Sequence, residues 1–202
     1  ILEQARNQLD NGNFLNSLNV GDADFKVLSN FNFLTLKPII YVCNVDENSV
    51  TKGNDFTQIV NSHAQKNKTI SIIISAKIES EIACISNLDE KKELLEVIGL
   101  EETSLTTLIR EGYGLLDLIT FFTSGPKESK AWSIKRGTFA PDAGAKIHTD
   151  FKKGFIRAEV ISYQDFINFN GETNCRENGK LRQEGKDYAV EDGDIITFRF
   201  NV

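Results

Sequence analysis

Two apolar runs of strand length, residues 38–43 and 69–75, limit the fold of this chain more than any other feature. The second run, "TISIIIS", is apolar enough to be buried on both faces. Between the runs, residues 54–66 show helical periodicity, with one face formed by Phe56, Ile59, Val60 and Ala64. Further helices are predicted at 88–98, closed by Gly99, and at 104–118, opened by Ser104 as N-cap. Strands that alternate with helices predict an α/β domain with a parallel sheet.

After residue 118 the pattern changes to short strands and turns. Strands are predicted at 131–135, 155–161 and 195–202, and the last of them alternates apolar and polar residues, with one face formed by Ile196, Phe198, Phe200 and Val202. This predicts an α+β module of about 80 residues, a small mixed sheet with one or two short helices. Residues 1–33 are predicted to be helical and then irregular, and too few to form a core alone.

Charge is distributed unevenly along the chain. The net charge is -6, but residues 1–118 hold 10 basic and 17 acidic side chains, whereas residues 119–202 hold 13 and 12. Within the second part, residues 126–157 carry eight basic side chains and three acidic ones. The change near residue 118 predicts a domain boundary there.

Several classes of protein do not fit this composition. No apolar run approaches the roughly 18 residues of a membrane helix, and no basic-then-apolar leader opens the sequence. The three cysteines, an odd number at unrelated spacings, indicate neither a disulfide framework nor a paired-cysteine zinc motif. A soluble protein of the reducing cytoplasm is therefore expected. Because the chain has no methionine and begins within an amphipathic helical pattern, we expect further residues upstream of Ile1.

Polar residues follow both buried runs. The first run is followed by Asn44-Val45-Asp46-Glu47 and the second ends in Ser75-Ala76-Lys77. Guanine-binding P-loop proteins have Asn-Lys-x-Asp and Ser-Ala-Lys in the same order after strands, and open α/β sheets bind ligands at the carboxyl ends of their strands. Here Val45 replaces the lysine, and Glu47 moves the carboxylate one methylene further, so guanine specificity does not follow. The alternative is a solvated turn, because Asn and Asp favour turns for local reasons.

The sequence resembles the Obg-like ATPases, the YchF group of translation-factor-related P-loop NTPases, over essentially its whole length. The segments that carry the resemblance are "GYGLLDLITFF", "KAWSIKRGTFAPDAGAKIHTDFKKGFIRAEV" and "GKLRQEGKDYAVEDGDIITFRFNV". The resemblance implies three segments: the end of a helical, coiled-coil-like insertion at 1–33, the C-terminal part of the G domain at 34–118, and a ubiquitin-like β-grasp TGS domain at 119–202.

The resemblance also implies a purine site. Asn44, Val45 and Glu47 correspond to an altered base-recognition motif associated with ATP as well as GTP, and Ser75, Ala76 and Lys77 to the second base-contacting loop. The family's phosphate loop, G-x-x-x-x-G-K-S/T, has no counterpart in these residues. The resemblance thus implies that ATP or GTP with Mg²⁺ binds an intact parent, and that this part alone hydrolyses neither. The alternative is a stand-alone module that binds RNA or the ribosome and has no NTPase activity.

A ribosome or RNA partner is the third implication of the resemblance. The basic segment interleaves cations with aromatic residues, a mixture that suits phosphates and unpaired bases. The candidate contacts are Lys127, Lys130, Lys135, Arg136, Lys152 and Lys153. The alternative is that the lysines form a solvated face and that Trp132 and Phe155 belong to the core. For His148 we expect a helix-capping or loop-bracing role, and the two histidines and three cysteines do not assemble into a zinc site.

Overall fold

The computed structural model describes residues 1–125 and 128–201, so Lys127 and Val202 lie outside the described residues. The chain divides into two compact units, Ile1–Leu115 and Leu116–Val202, which are described separately as unit 1 and unit 2. Among the described residues, no helix has the length and apolar character needed to cross a membrane.

Unit 1 is an α/β unit built on a parallel strand pair. Its elements are α1 Leu2–Asp10, α2 Asp22–Ser29, β1 Ile40–Asn44, α3 Asp55–Lys66, β2 Ile70–Ile74, α4 Ala76–Cys84, α5 Leu88–Ile98 and α6 Ser104–Leu115. β1 and β2 pair in parallel, from Ile40 opposite Ile70 to Asn44 opposite Ile74. The predicted parallel pairing is confirmed. The predicted burial of both strands was wrong, because β1 has no buried residue and β2 buries only Ile72.

Local signals at the helix ends explain where the helices of unit 1 begin and stop. α3 opens with a capping box, in which Asn54 Oδ1 accepts from the Thr57 amide at 3.0 Å and Thr57 Oγ1 accepts from the Asn54 amide at 2.9 Å. α5 ends at Gly99 with φ of 81°, as predicted. The predicted cap of α6 was wrong by one residue, because Thr103 Oγ1 accepts from the Thr106 amide at 3.2 Å while Ser104 is already helical.

Three features of unit 1 differ from the prediction. α6 ends at Leu115 instead of residue 118, because Leu118 already begins the first strand of unit 2. α4 was not predicted, although its Ile78 and Ile82 are buried one helical turn apart. Ala64 on α3 is buried as its periodicity suggests, but Phe56 and Ile59 are 77% and 67% exposed.

Unit 2 is a mixed sheet with helices. Its elements are β3 Leu118–Ser124, β4 Ser129–Lys135, α7 Ala140–Ile147, α8 Thr149–Lys153, β5 Phe155–Ser162, α9 Tyr163–Asn168, α10 Glu172–Glu177, β6 Arg182–Glu184 and β7 Asp194–Phe200. The strand order is β4-β3-β7-β5-β6, with β3 and β7 parallel and the other pairs antiparallel. The mixed sheet is confirmed, but the prediction of one or two helices was wrong, since the described residues form four.

One face of this sheet carries the core of unit 2. Phe121 is fully buried and its ring meets that of Phe198 edge-on at 5.9 Å, while Ala143 of α7 packs in the same cluster. Phe155 is 6% exposed, so its predicted core position is confirmed. Trp132 packs partly buried against the cluster, and its indole N–H donates to Thr123 Oγ1 at 2.9 Å.

Gly154, between α8 and β5, provides a test of how closely unit 2 is packed. A Cβ atom at this position would overlap the backbone oxygen of Asn201, and the Asn201 amide donates to the Gly154 carbonyl at 2.9 Å. Gly154→Ala should therefore lower the free energy of unfolding of unit 2 by about 2 kcal/mol, since backbone atoms must move apart. Urea denaturation followed by Trp132 fluorescence measures this change.

Gly185→Ala is the matched control, because a Cβ atom there meets no atom within 4 Å and the residue has no positive φ. Its effect should stay within about 0.5 kcal/mol. Equal midpoints for the two variants would show that the close approach at Gly154 does not limit stability.

Candidate functional site

The loops that follow β1 and β2 meet at the carboxyl ends of the strands. The parallel register places Asn44 opposite Ile74, so both strands end at the same level. The Val45 amide then donates to the Ile74 carbonyl at 2.9 Å, which continues the pairing by one residue. The two predicted base-contacting loops are thus neighbours, at the edge where α/β sheets bind ligands.

Two side-chain contacts join these loops directly. Asn44 Oδ1 accepts a hydrogen bond from the Ala76 amide at 3.0 Å. Lys77 Nζ forms an ion pair with Glu47 Oε1. Four of the six predicted base-site residues, Asn44, Glu47, Ala76 and Lys77, are therefore brought together although about 30 residues separate the loops.

The ion pair sets the charge of the site. The pKa of the Glu47 carboxyl lies below its ordinary value, chiefly because Lys77 donates a hydrogen bond to it, and the pKa of Lys77 is raised by the same contact. Both side chains reach solvent, with 40% of Glu47 and 67% of Lys77 exposed. The site therefore offers an ionised acceptor and a cationic donor side by side.

Asp46 shapes the first loop, a role that the sequence analysis did not assign. Its Oδ1 accepts from the amides of Asn48 and Ser49, both at 3.0 Å, and from the Ser49 hydroxyl. These bonds cap the short helical turn Glu47–Ser49. The signal was an Asp followed by polar residues, a pattern in which the carboxylate commonly accepts from amides two or three residues on. The turn fixes the backbone on which Glu47 stands.

The remaining two predicted residues, Val45 and Ser75, take no part in the two side-chain contacts between the loops. Val45 packs partly buried against the cluster of Val50, Ile78 and Leu95. Ser75 is fully buried, and its Oγ has no hydrogen-bond partner among the described residues. An unpartnered buried hydroxyl is unusual, because such groups are normally satisfied.

A cleft of about 320 Å³ opens beside the site, between β1 and the start of α3. Asn44 and Val45 contribute to its wall, together with Tyr41, Asn54 and Phe56. Glu47, Ser75, Ala76 and Lys77 do not line it. The contacts between the loops, and not this cleft, therefore define the candidate base site.

The predicted RNA-contacting cations of unit 2 are placed differently. Lys130, Arg136, Lys152 and Lys153 each pair with an acidic side chain, respectively Glu128, Asp117, Asp142 and Asp150. Lys135 donates to the Leu116 carbonyl. Lys127 lies outside the described residues. Each described cation of this set thus has a partner, and their role in binding stays a prediction.

The histidines and cysteines do not form a metal site in the described part of the chain. His148 Nδ1 accepts from the Asp150 amide at 3.3 Å at the start of α8, which confirms the predicted capping role. His63 lies edge-on against Tyr41, with ring centroids 5.5 Å apart. The three cysteines are free, and within residues 1–125 and 128–201 no three or more His, Cys, Asp or Glu side chains are arranged to hold a metal.

Comparisons with known proteins agree with the resemblance. The family model YchF-GTPase_C, described as "Protein of unknown function (DUF933)", matches residues 118–201. The ribosome-binding ATPase YchF of Haemophilus influenzae is 46% identical over 202 residues, which are 100% of this chain and 55% of that protein. Its namesake from Escherichia coli O157:H7 is 44% identical over the same shares. The chain thus spans 55% of the length of these curated relatives.

A solved structure supports the same relationship. The Schizosaccharomyces pombe YchF GTPase superposes with a TM-score of 0.84 at 28% identity, over 98% of this chain and 53% of that one. The sequence matches cover the whole of this chain, and the family model matches most of unit 2. The chain therefore belongs to the YchF family, and it corresponds to the C-terminal half of its members.

Proposed function

We propose that this chain supplies the base-recognition loops and a ribosome-binding module of a protein that binds and hydrolyses ATP or GTP. The base-recognition role rests on the contacts that join the two loops, which are the Asn44–Ala76 hydrogen bond and the Glu47–Lys77 ion pair. The names of the relatives, ribosome-binding ATPases and a GTPase, support the activity and the partner. A ribosome partner also supports the expected cytoplasmic location.

The chemistry of the loops fits a purine base. The Glu47 carboxylate accepts hydrogen bonds, so it suits the exocyclic amino group that adenine presents, or the N–H groups of guanine. Asn44 holds the second loop in place through Ala76, and the hydrogen bond from Lys77 lowers the pKa of the Glu47 carboxyl. Mg²⁺ would come with the nucleotide phosphates, which it bridges in P-loop NTPases. The proposed role of the residues in this chain is to position the base.

The assignment of segments follows the same proposal. Residues 1–33 would end a helical insertion, residues 34–118 would belong to the G domain, and residues 119–202 would form a TGS β-grasp domain. The parallel pairing of β3 with β7, the first and last strands of unit 2, supports the β-grasp assignment, because that fold places these strands side by side at the centre of the sheet. We propose that this domain contacts the ribosome.

Asn44→Ala tests the base site. Without the Asn44 oxygen the second loop loses its brace, so binding of adenosine and guanosine to the 202-residue chain should weaken at least about fivefold, the equivalent of one hydrogen bond of about 1 kcal/mol. The measurement is titration of the chain with each nucleoside, followed by amide NMR shifts at residues 44–47 and 75–77.

Asn48→Ala is the matched control, since the Asn48 side chain takes no part in the contacts between the loops described above. It should leave nucleoside binding unchanged. If nucleosides shifted no amide signal of residues 44–47 and 75–77 in the wild-type chain, the base site would be refuted. If the two variants lost nucleoside affinity equally, the bracing role of Asn44 would be refuted.

The isolated 202-residue chain should release no phosphate from ATP or GTP in the presence of Mg²⁺. Phosphoryl transfer depends on positioning and charge stabilisation around the γ-phosphate, and these residues contain no phosphate-loop motif to provide them. A phosphate-release assay against a buffer blank measures this. Turnover that stays with the chain through further purification would contradict the prediction.

Ribosome binding is tested by sedimentation. The 202-residue chain should pellet with purified ribosomes, and reversal of the charges at residues 127, 130, 135, 136, 152 and 153 should reduce the bound fraction, because phosphate contacts dominate affinity for RNA. If the charge-reversed variant pelleted like the wild type, these six residues would not belong to the ribosome interface. A wild-type chain that stays in the supernatant would refute the ribosome-binding role.

A further inference from the structure

A second group of cations lies on the face of the unit 2 sheet opposite the core, outside the basic segment's predicted contacts. On β5 and β7, Ala158 and Phe198 point into the core. Arg157 and Arg199 are paired across the two strands and, with Glu159, point to the opposite face. Arg176 of α10 reaches the same place from the side. We call Arg157, Arg176, Arg199 and Glu159 the arginine cluster.

A single buried carboxylate holds the three guanidinium groups. Glu159 is 5% exposed; its Oε2 accepts from Arg199 at 2.8 Å and lies 3.7 Å from Arg176, while its Oε1 accepts from Arg157 at 3.2 Å. The hydrogen bond from Arg199 is the main reason why the pKa of Glu159 lies below its ordinary value. Glu159 is therefore a fixed anion around which the arginines are arranged.

The cluster carries more positive than negative charge. Arg176 also pairs with Glu172 at 3.1 Å, so two carboxylates face three guanidinium groups. Like charges directly opposite on neighbouring strands are destabilising, as for Arg157 and Arg199. Lys130, Arg136 and Lys152, by contrast, each face their own carboxylate. The arginine cluster thus keeps a surplus cation that the described acidic side chains do not balance.

The exposed sides of the arginines suit an oxyanion. Between 45% and 56% of each side chain is accessible, although the carboxylate beneath is buried. A guanidinium carries five N–H donors in a planar fork, and the bonds to Glu159 and Glu172 use only some of them. Such forks match phosphate oxygens in a bidentate manner, and their attachment to a buried anion reduces the entropy lost on binding.

We propose that the arginine cluster binds the phosphate backbone of RNA. The choice of RNA rests on the proposed ribosome-binding function, whereas the location of the site rests on the cluster itself. An acidic protein segment would satisfy the same donors, and the experiment below separates the two.

The test compares binding of a fluorescein-labelled oligouridine by the wild-type 202-residue chain and by Arg157→Gln/Arg176→Gln. This variant keeps the Arg199–Glu159 contact, so the buried carboxylate is not left alone. We expect the affinity to fall at least about tenfold, and the slope of log K against log salt to become shallower by about 1.4, since each phosphate contact of a single strand contributes about 0.7. Fluorescence anisotropy at several salt concentrations gives both values.

Lys146→Gln/Lys186→Gln is the matched control, because it removes the same charge from two exposed positions of unit 2 outside the cluster. It should retain the wild-type salt slope. Equal losses in the two variants would mean that the net charge alone matters, and would overturn the site. Polyglutamate that displaces the oligouridine at equal charge concentration would overturn the assignment to RNA.

A measurement on the wild-type chain covers the case in which the double variant does not fold. The side-chain Nε–H signals of Arg157, Arg176 and Arg199 should shift when oligouridine is added, while that of Arg6 on α1 should not. Unchanged signals from the cluster, with RNA still bound, would overturn the site and leave the proposed function intact. If the wild-type chain bound neither oligouridine nor ribosomes, the proposed function and the arginine cluster would fail together.

Discussion

The parallel register of β1 and β2 is the constraint on which the candidate site depends. Because Asn44 lies opposite Ile74, the two strands end at the same level and the loops that follow them are neighbours. The Val45 amide still donates to the Ile74 carbonyl. A shift of the register by one residue would turn the side chains of a strand to its other face and separate Asn44 from Ala76. The backbone pairing of these apolar strands therefore positions the polar groups at their carboxyl ends.

Unit 2 uses the two faces of its sheet for different purposes. Alternation along β5 sends Ala158 and Val160 into the core and Arg157 and Glu159 to the other side. The aromatic contact of Phe121 with Phe198 anchors the first face. The second face carries the charges around Glu159 beside the buried side chains of Ile161 and Ile195. The same periodicity of two that specifies the fold thus also gathers the arginine cluster.

Local patterns in the sequence predicted the elements whose signals are local. The positions of the two strands, the end of α5 at Gly99 and the capping role of His148 all follow from residues next to one another. The burial predicted for these strands was wrong, because Val42 is 42% exposed and only Ile72 is buried. α4 was missed because "SAK" was interpreted only as a loop, although the helix begins directly after Ser75. The exposure of Phe56 and Ile59 could not be predicted from the sequence either, because periodicity predicts an apolar face but not which elements cover it.

For the site itself, the order of the two loops after their strands predicted their proximity, but the individual contacts depend on tertiary structure. Val45, for example, packs against a cluster to which α4 and α5 contribute Ile78 and Leu95. The arginine cluster could not be predicted from spacing, because residues 157, 176 and 199 meet only through strand pairing and the placement of α10.

The central position of β7 also affects how unit 2 is made. β7 lies between β3 and β5, so the residues that complete the middle of the sheet, 194–200, come after all its other strands in the chain. During translation β3 and β5 are synthesised before β7, so the edges that pair with β7 stay unpaired until residues 194–200 have been added. Sheets closed by contacts distant in sequence fold slowly. The core of unit 2, which includes Ile196 and Phe198, can therefore be completed only after residues 194–200 have left the ribosomal exit tunnel.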